Sequence, residues 1–410
     1  MPTLCTWLCP SRHRPPPTIS IPLQHVHSNV MSTLRTDAQP ARMTRKTRFV
    51  CIADTHNLSP YDGGFKVPKG DVLIHAGDMT KQGAYVEVQR TVQWIGRLVE
   101  DGVVEHAIIV AGNHDLTLDP AFYAAHGHNF HSSTDLPTDS LSLMSPPLLP
   151  PGITFLNHTS AHIKLTSPNG PRTQFSVFGS PYTPVHVAKV DENTTTPRWA
   201  FQYPPYPSTE SEETWSDLPA NTDVLITHGP PSTHLDGAAV RVGKGLAATS
   251  AGCEALRQAC WRVRPSLHVF GHVHEGRGVE RVKWQDGRHV IGMEEGCACF
   301  QSDGNDSESI SLDTGDWTTT SDTTEPSLKK CCTHDHAQME WRDPGAVDDR
   351  IAGKMSIVDV TARTRMFGGA GLRDGETLMV NAAIRRGKWP YKGVNKAIVV
   401  DIDLPVCEDE

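Results

Sequence analysis

The chain has 410 residues, 38% of them hydrophobic and 7% aromatic, and carries a formal net charge of −9. A chain of this length can bury a sizeable core with polar sequence to spare, so one large domain with appended polar segments is expected. The acidic balance offers no dominant positive field, which argues against a dedicated nucleic-acid binder, and no apolar run approaches the ~20 residues that cross a bilayer.

Residues 1–47 are rich in Pro, Ser, Thr and Arg and contain one acid, Asp37. Such a segment can neither pack a core nor sustain a helix, and it reads as a disordered basic tail. Arg-rich, acid-poor tails serve as organelle addresses, but Pro10, Pro15, Pro16 and Pro17 oppose both an amphipathic helix and a secretory apolar stretch. The ten cysteines form no spaced framework, so reduced thiols in a cytoplasmic setting are expected.

From Arg48 the texture changes to short apolar runs ended by polar residues, as in Phe49-Val50-Cys51-Ile52-Ala53 followed by Asp54. Each run reads as a buried strand leading into a loop, and the pattern recurs at 72–75, 107–111, 174–178, 224–227 and 267–270. Val88, Val92, Ile95 and Val99 recur at helical spacing and predict a helix packed on a sheet; a second helix is expected over 252–261. Strands alternating with helices and then following one another predict a layered α/β fold with at least one mixed sheet. The stretch 301–350 is dominated by Ser, Thr, Asp and Gly with an excess of acids, and reads as a disordered insertion. Strand signals return at 377–381 and 397–403, so the domain is expected to comprise 48–300 and 351–410.

Metal-ligand residue types stand at the strand ends. Asp54-Thr55-His56 follows the first strand, Gly77-Asp78 the second, and Gly112-Asn113-His114-Asp115 the third; His228 and Gly271-His272-Val273-His274 follow later ones. Strand C-terminal ends are where open α/β sheets place their sites. Any one of these motifs is most simply a cap, a turn residue or a satisfied polar group. Five in succession are not explained that way. Imidazoles and carboxylates with one amide and no thiolate suit Mn, Fe or Zn, and two ions need a bridge, for which a carboxylate such as Asp78 is the natural group.

The set D-x-H, G-D, G-N-H-D, a later strand-end His and G-H-x-H resembles the signature of the calcineurin-like metallophosphoesterases. Within them the chain is most similar to the metallophosphoesterase domain-containing branch, through Ile74-His75-Ala76-Gly77-Asp78, Gly179-Ser180-Pro181, Trp199-Ala200-Phe201, Thr227-His228-Gly229-Pro230-Pro231 and Phe270-Gly271-His272-Val273-His274-Glu275-Gly276. The resemblance covers 48–278 and 377–404. It implies a β-sandwich of two mixed sheets flanked by helices, with the site at one end of the sheets. It further implies that Asp54, His56 and His274 hold one divalent ion (Mn, Fe or Zn), that Asn113, His228 and His272 hold another, and that Asp78 bridges them. His114 would face the substrate and protonate the departing oxygen, with Asp115 orienting it. The implied reaction is hydrolysis of a phosphoric ester by a metal-bridged hydroxide, on a small phosphoester or nucleotide, with phosphodiesters such as cyclic nucleotides favoured. Two alternatives stay open: a phosphomonoesterase or nuclease on the same site, and a nucleotide-binding regulatory module with weak catalysis.

Other residues are read more plainly. Cys331, Cys332, His334 and His336 lack the C-x-x-C spacing of a zinc site, and Cys297 and Cys299 read as ordinary thiols. His158, His162 and His234 read as surface or core-edge histidines, and Arg198 beside Trp199 as packing. The sequence names no partner for the acidic insertion.

Overall fold

The computed structural model describes residues 43–132, 137–185, 199–242, 245–284, 310–311, 332–334, 356–361, 372, 375–387, 391 and 393–407. Residues 1–42 of the tail expected over 1–47 and most of the expected insertion lie outside them, as do Arg198, Cys297, Cys299, Cys331 and His336.

One sheet runs in the order Ser356–Asp359, Ile398–Pro405, Thr44–Ile52, Val72–Ala76, His106–Val110, Ile153–Leu156. The last four are mutually parallel, Ile398–Pro405 is antiparallel to Thr44–Ile52, and Ser356–Asp359 is parallel to Ile398–Pro405. Along Thr44–Ile52 the side chains alternate: Phe49 and Cys51 enter the core between the sheets, while Val50 and Ile52 face the helix Tyr85–Glu100. Burial on both faces is why this strand reads as a continuous apolar run.

The strand begins at Thr44, before the boundary expected at residue 48. Backbone pairing, from Thr44 opposite Pro405 to Cys51 opposite Ile398, holds the polar segment that hydrophobicity could not have placed. Thr47 is buried there, its hydroxyl 2.6 Å from that of Thr173.

The second sheet runs Ile310–Ser311, Gly278–Trp284, Glu376–Asn381, Leu267–Phe270, Val224–Thr227, Gln174–Ser180, Thr159–Lys164. Its four central strands are parallel, and the flanking Gly278–Trp284 and Thr159–Lys164 are antiparallel to their neighbours. Within the segment 301–350, expected to be a disordered insertion, Ile310–Ser311 and Cys332–His334 are described, and both pair with Gly278–Trp284. Strand pairing needs backbone donors and acceptors along an open edge, and a polar segment supplies them as well as an apolar one.

The two sheets pack face to face through Phe49, Ile74, Ile108 and Val400 on one side and Phe175, Val177, Ile226, Val269 and Val380 on the other. The rings of Phe49 and Phe175 meet edge to face with centroids 5.4 Å apart. Val88, Val92 and Ile95 of the helix Tyr85–Glu100 cover the outer face of the first sheet, and Leu256, Ala259 and Cys260 of Glu254–Val263 cover that of the second. The architecture is therefore a mixed α/β sandwich with helices on both sides. Among the described residues no helix is long and apolar enough to cross a membrane.

Candidate metal centre

The parallel strands of the two sheets release their loops at a common edge, and the motif residues sit in those loops. Asp54, His56, Asp78 and His272 all have left-handed backbone, with φ of 54°, 42°, 53° and 65°. Residues with a Cβ adopt this region at a cost, and it persists where the surroundings over-determine it. Here the loops are tied to each other: Asp54 donates its N–H to the Gly77 carbonyl at 2.9 Å, His56 to that of Asp78 at 3.1 Å, and Gly271 to that of His228 at 3.0 Å. Gly112 and Gly271 make the approach feasible. A Cβ on Gly112 would fall on the backbone nitrogen and carboxylate of Asp78, and one on Gly271 on the carboxylate of Asp54.

Three groups of side chains converge, each with its candidate ligand atoms within 4.8 Å of one another: Asp54, His56 and His274; His56, Asp78 and His114; Asp78, His228 and His272. Asp78 stands between them. Its Oδ2 lies 3.7 Å from His56 Nε2, while its Oδ1 lies 3.3 Å from His228 Nε2 and accepts the His114 N–H at 2.8 Å. Asn113 joins through its Oδ1, 3.0 Å from His228 Nε2. Asp54 accepts the His272 N–H at 3.0 Å and faces His274 Nε2 at 3.4 Å.

The imidazoles share one device. His56, His114, His228 and His274 each place Nδ1 against a backbone carbonyl, of Thr80 at 3.2 Å, Lys81 at 2.8 Å, Ala76 at 3.0 Å and Gly387 at 2.9 Å. A carbonyl only accepts, so the proton sits on Nδ1 and Nε2 is presented to the centre, the arrangement that orients metal-binding histidines. His56 Nε2 is buried with no hydrogen-bond partner. A buried orphan polar atom is costly unless something ligates it, and a divalent ion beside Asp78 fits that requirement.

Charge follows from burial and from Asp78. Burial holds His272 at about 3 and His56 well below its ordinary value, so both keep a free lone pair. Burial also opposes ionisation of Asp78, but the neighbouring imidazoles of His228, His114 and His56 outweigh it and hold the carboxyl well below the usual range. His228 shows the converse, with Asp78 lifting it to about 9 against the burial that would lower it. A proton on His228 Nε2 and a cation beside Asp78 would occupy the same space, so an ion held there would displace that proton.

Asp115 is bound to the backbone of both neighbouring loops. Its carboxylate is fully buried and accepts from the backbone N–H of Met79, Thr80 and Gly112 at 3.2, 2.9 and 2.8 Å and from the Thr80 hydroxyl at 2.6 Å. It clamps two ligand loops together and reaches His114 only through them, because the His114 ring is fixed by the Lys81 carbonyl. Burial, then Asp78, raises its carboxyl to about 6.

His158 bonds Ser180 Oγ at 3.0 Å among Phe178, Tyr182 and Trp215; His162 lies within its own hairpin near Ser176 and Gln174; His234 pairs with Glu280 at 3.2 Å. None joins the groups around Asp78. Sequence reasoning passed over Trp199, whose ring lies 4.1 Å from that of His114 at 31°, and Tyr391, whose ring stacks on His56 at 5.2 Å and 25°. Trp199 was legible in the W-A-F motif. Tyr391 carries no local signal and is brought in by the fold.

The family profile described as calcineurin-like phosphoesterase matches residues 47–276, more than half of the chain. "Probable rhamnogalacturonate lyase C" of Emericella nidulans is 36% identical over 265 residues, which are 64% of this chain and 20% of that protein. "Metallophosphoesterase domain-containing protein 1" of Homo sapiens is 34% identical over 238 residues, 57% of this chain and 62% of that protein. The chain thus matches a fifth of the first and under two thirds of the second. A purple acid phosphatase from yellow lupin seeds is similar at 12% identity and a TM-score of 0.30, covering 59% of this chain and 40% of that one.

Proposed function

Because the chain belongs to the calcineurin-like phosphoesterase family, we propose that it is a metal-dependent phosphoric ester hydrolase with a dinuclear centre. The observation that carries this reading is the position of Asp78, with one carboxylate oxygen toward His56 and the other toward His228. In this proposal Asp54, His56 and His274 hold one ion, Asn113, His228 and His272 hold the second, and Asp78 is shared. Two such ions, when bound, supply Lewis-acid charge for the phosphoryl oxygens and a lowered pKa for water.

The chain's own groups do the rest. His114 is held by the Lys81 carbonyl and by the face of Trp199, so its Nε2 is aimed at the space beside Asp78, 4.0 Å from Oδ2. There it holds a proton for the departing oxygen, which matters most when that oxygen is a poor leaving group. Asp115 keeps the loops of Asp78 and Asn113 in register. The ions are Mn, Fe or Zn by the chemistry of the donor set.

The proposed substrates are phosphodiesters of small molecules, cyclic nucleotides among them, a preference that rests on the likeness to metallophosphoesterase domain-containing proteins. A cytoplasmic setting accords with Cys51, Cys253, Cys260 and Cys407, all free thiols. The test is elemental analysis of purified protein together with a panel of phosphodiesters and phosphomonoesters under Mn, Zn, Mg and chelator. Metal-dependent turnover of diesters is expected. Preference for monoesters would move the activity to phosphomonoesterase, and metal binding without turnover would make the chain a binding module.

A further inference from the structure

The family match ends at residue 276, yet one edge of the proposed centre is built by chain well beyond it. The strand Glu376–Asn381 leads through Ala382 and Ala383, which pair with Ala53, into a short ladder of Arg385–Arg386 with Gly393–Val394. This hairpin touches the Asp54–His56–His274 group at three points. The Gly387 carbonyl takes the Nδ1 proton of His274 at 2.9 Å and so presents Nε2 to Asp54. Arg385 Nη2 donates to the backbone carbonyl of His56 at 3.3 Å. The Tyr391 ring lies on His56 at 5.2 Å and beside His274 at 5.5 Å, and carries the Arg385 guanidinium over it at 4.9 Å. A fourth tie closes the base, where Arg277, just past the His274 turn, donates to the Lys396 carbonyl at 2.7 Å.

The orienting ties of Asn113 and His228 come from within the family match. His228 is oriented by Ala76, and Asn113 by His228. The two halves of the centre therefore differ in their support, since only one of them gains ties from the late hairpin in addition to those made within 47–276. Residues within 47–276 hold Asn113 and His228, whereas His274 and His56 also lean on the late hairpin, His56 being held by the Thr80 carbonyl as well.

We propose that the ladder of Arg385–Arg386 with Gly393–Val394, together with Gly387 and Tyr391, is a positioning element for one ion only, with Arg385, Gly387 and Tyr391 setting the affinity of the Asp54–His56–His274 subsite independently of the other. The proposal rests on the dinuclear reading given above. Partners that orient a ligand without touching the ion are typically worth about 10–100-fold in metal affinity. Tyr391 and Arg385 are positioning residues and contact neither ion in this account.

The experiment uses the full chain, equilibrated with graded free Mn²⁺ and read by bound-metal stoichiometry and by electron paramagnetic resonance. Arg385→Ala and Tyr391→Leu should each weaken one of two ions by about 10–100-fold and keep the other, so that a coupled-pair spectrum gives way to an isolated-ion spectrum. Tyr391→Phe, which keeps the ring on His56, should lose less than Tyr391→Leu, and His228→Ala should weaken the opposite ion. Thermal unfolding of each metal-free variant checks that the fold survives. Wild-type affinity for both ions in Arg385→Ala and Tyr391→Leu would overturn the proposal, as would parallel loss of both ions from a folded variant. A wild-type chain that binds no divalent ion would instead overturn the metal-centre reading, and this one with it.

Discussion

Replacing His114 by Asn tests the division between chemistry and metal holding most directly. The structure sets two roles against each other, since His114 belongs to a group with His56 and Asp78 that could itself hold an ion, yet its Nε2 stands 4.0 Å from Asp78 Oδ2 and its side chain is 25% exposed. If His114 is the proton donor, the variant keeps both ions and loses rate according to leaving group. General-acid assistance is worth about 10²–10⁴-fold, or about 3–5 kcal/mol of barrier at 1.36 kcal/mol per tenfold. An alkyl ester, whose alkoxide departs poorly without a proton, should lose most of that; a nitrophenyl ester should lose visibly less. Folding should suffer little. The ring loses its packing on Trp199, and aromatic pairs contribute about 0.5–1.5 kcal/mol beyond area, so a shift of a few degrees in melting is the outside expectation. The assays are steady-state kcat on paired alkyl and nitrophenyl esters, with metal content measured on the same preparation. Equal losses on both esters would refute the acid role. Loss of an ion would make His114 a ligand.

Asp78→Asn should abolish hydrolysis and reduce bound metal more than removal of His274 or His228, because both halves of the centre lose their shared anion; elemental analysis of the three variants checks the order. Arg281→Met breaks an ion pair with Glu376 in which both side chains are 4% exposed, and should destabilise the chain by up to about 3–5 kcal/mol in denaturant unfolding. Deleting 301–349 should leave metal content and rate unchanged, because among the described residues Ile310–Ser311 and Cys332–His334 pair with Gly278–Trp284, a strand that supplies none of the motif ligands; a fall in bound metal would refute this.

Much of the fold was legible because its central strands are buried on both faces. The runs near 72–75, 107–111, 224–227 and 267–270 all proved to be strands of the parallel cores, and Val88, Val92 and Ile95 line the buried face of Tyr85–Glu100. Half-polar strands such as Thr159–Lys164 and Gly278–Trp284 went unread. Their apolar residues are interleaved with His162, Glu280 and Lys283, and pairing rather than hydrophobicity holds them in place. The start of the first strand was misplaced for the same reason, since Thr44 to Thr47 are fixed by the partner Ile398–Pro405, distant in the chain.

The candidate site divides in the same way. Ligand residue types at strand ends are a local property, so Asp54, His56, Asp78, Asn113, His228, His272 and His274 could be named from the sequence alone, as could the glycines at 112 and 271 whose missing Cβ atoms let the loops close. What tertiary structure alone decided is how those side chains are held. Asp115 reads as a partner of the adjacent His114, but the turn sends its carboxylate inward to the backbone of Met79, Thr80 and Gly112. Gly387 and Tyr391 lie more than a hundred residues from the last motif, and no composition or spacing connects them to it. They reach His274 and His56 because the strand Glu376–Asn381 pairs with Leu267–Phe270 and delivers the following hairpin to the same edge. A ligand's identity is written in one residue, whereas its orientation depends on a carbonyl or a ring supplied from elsewhere, and only closure of the sheets brings the two together.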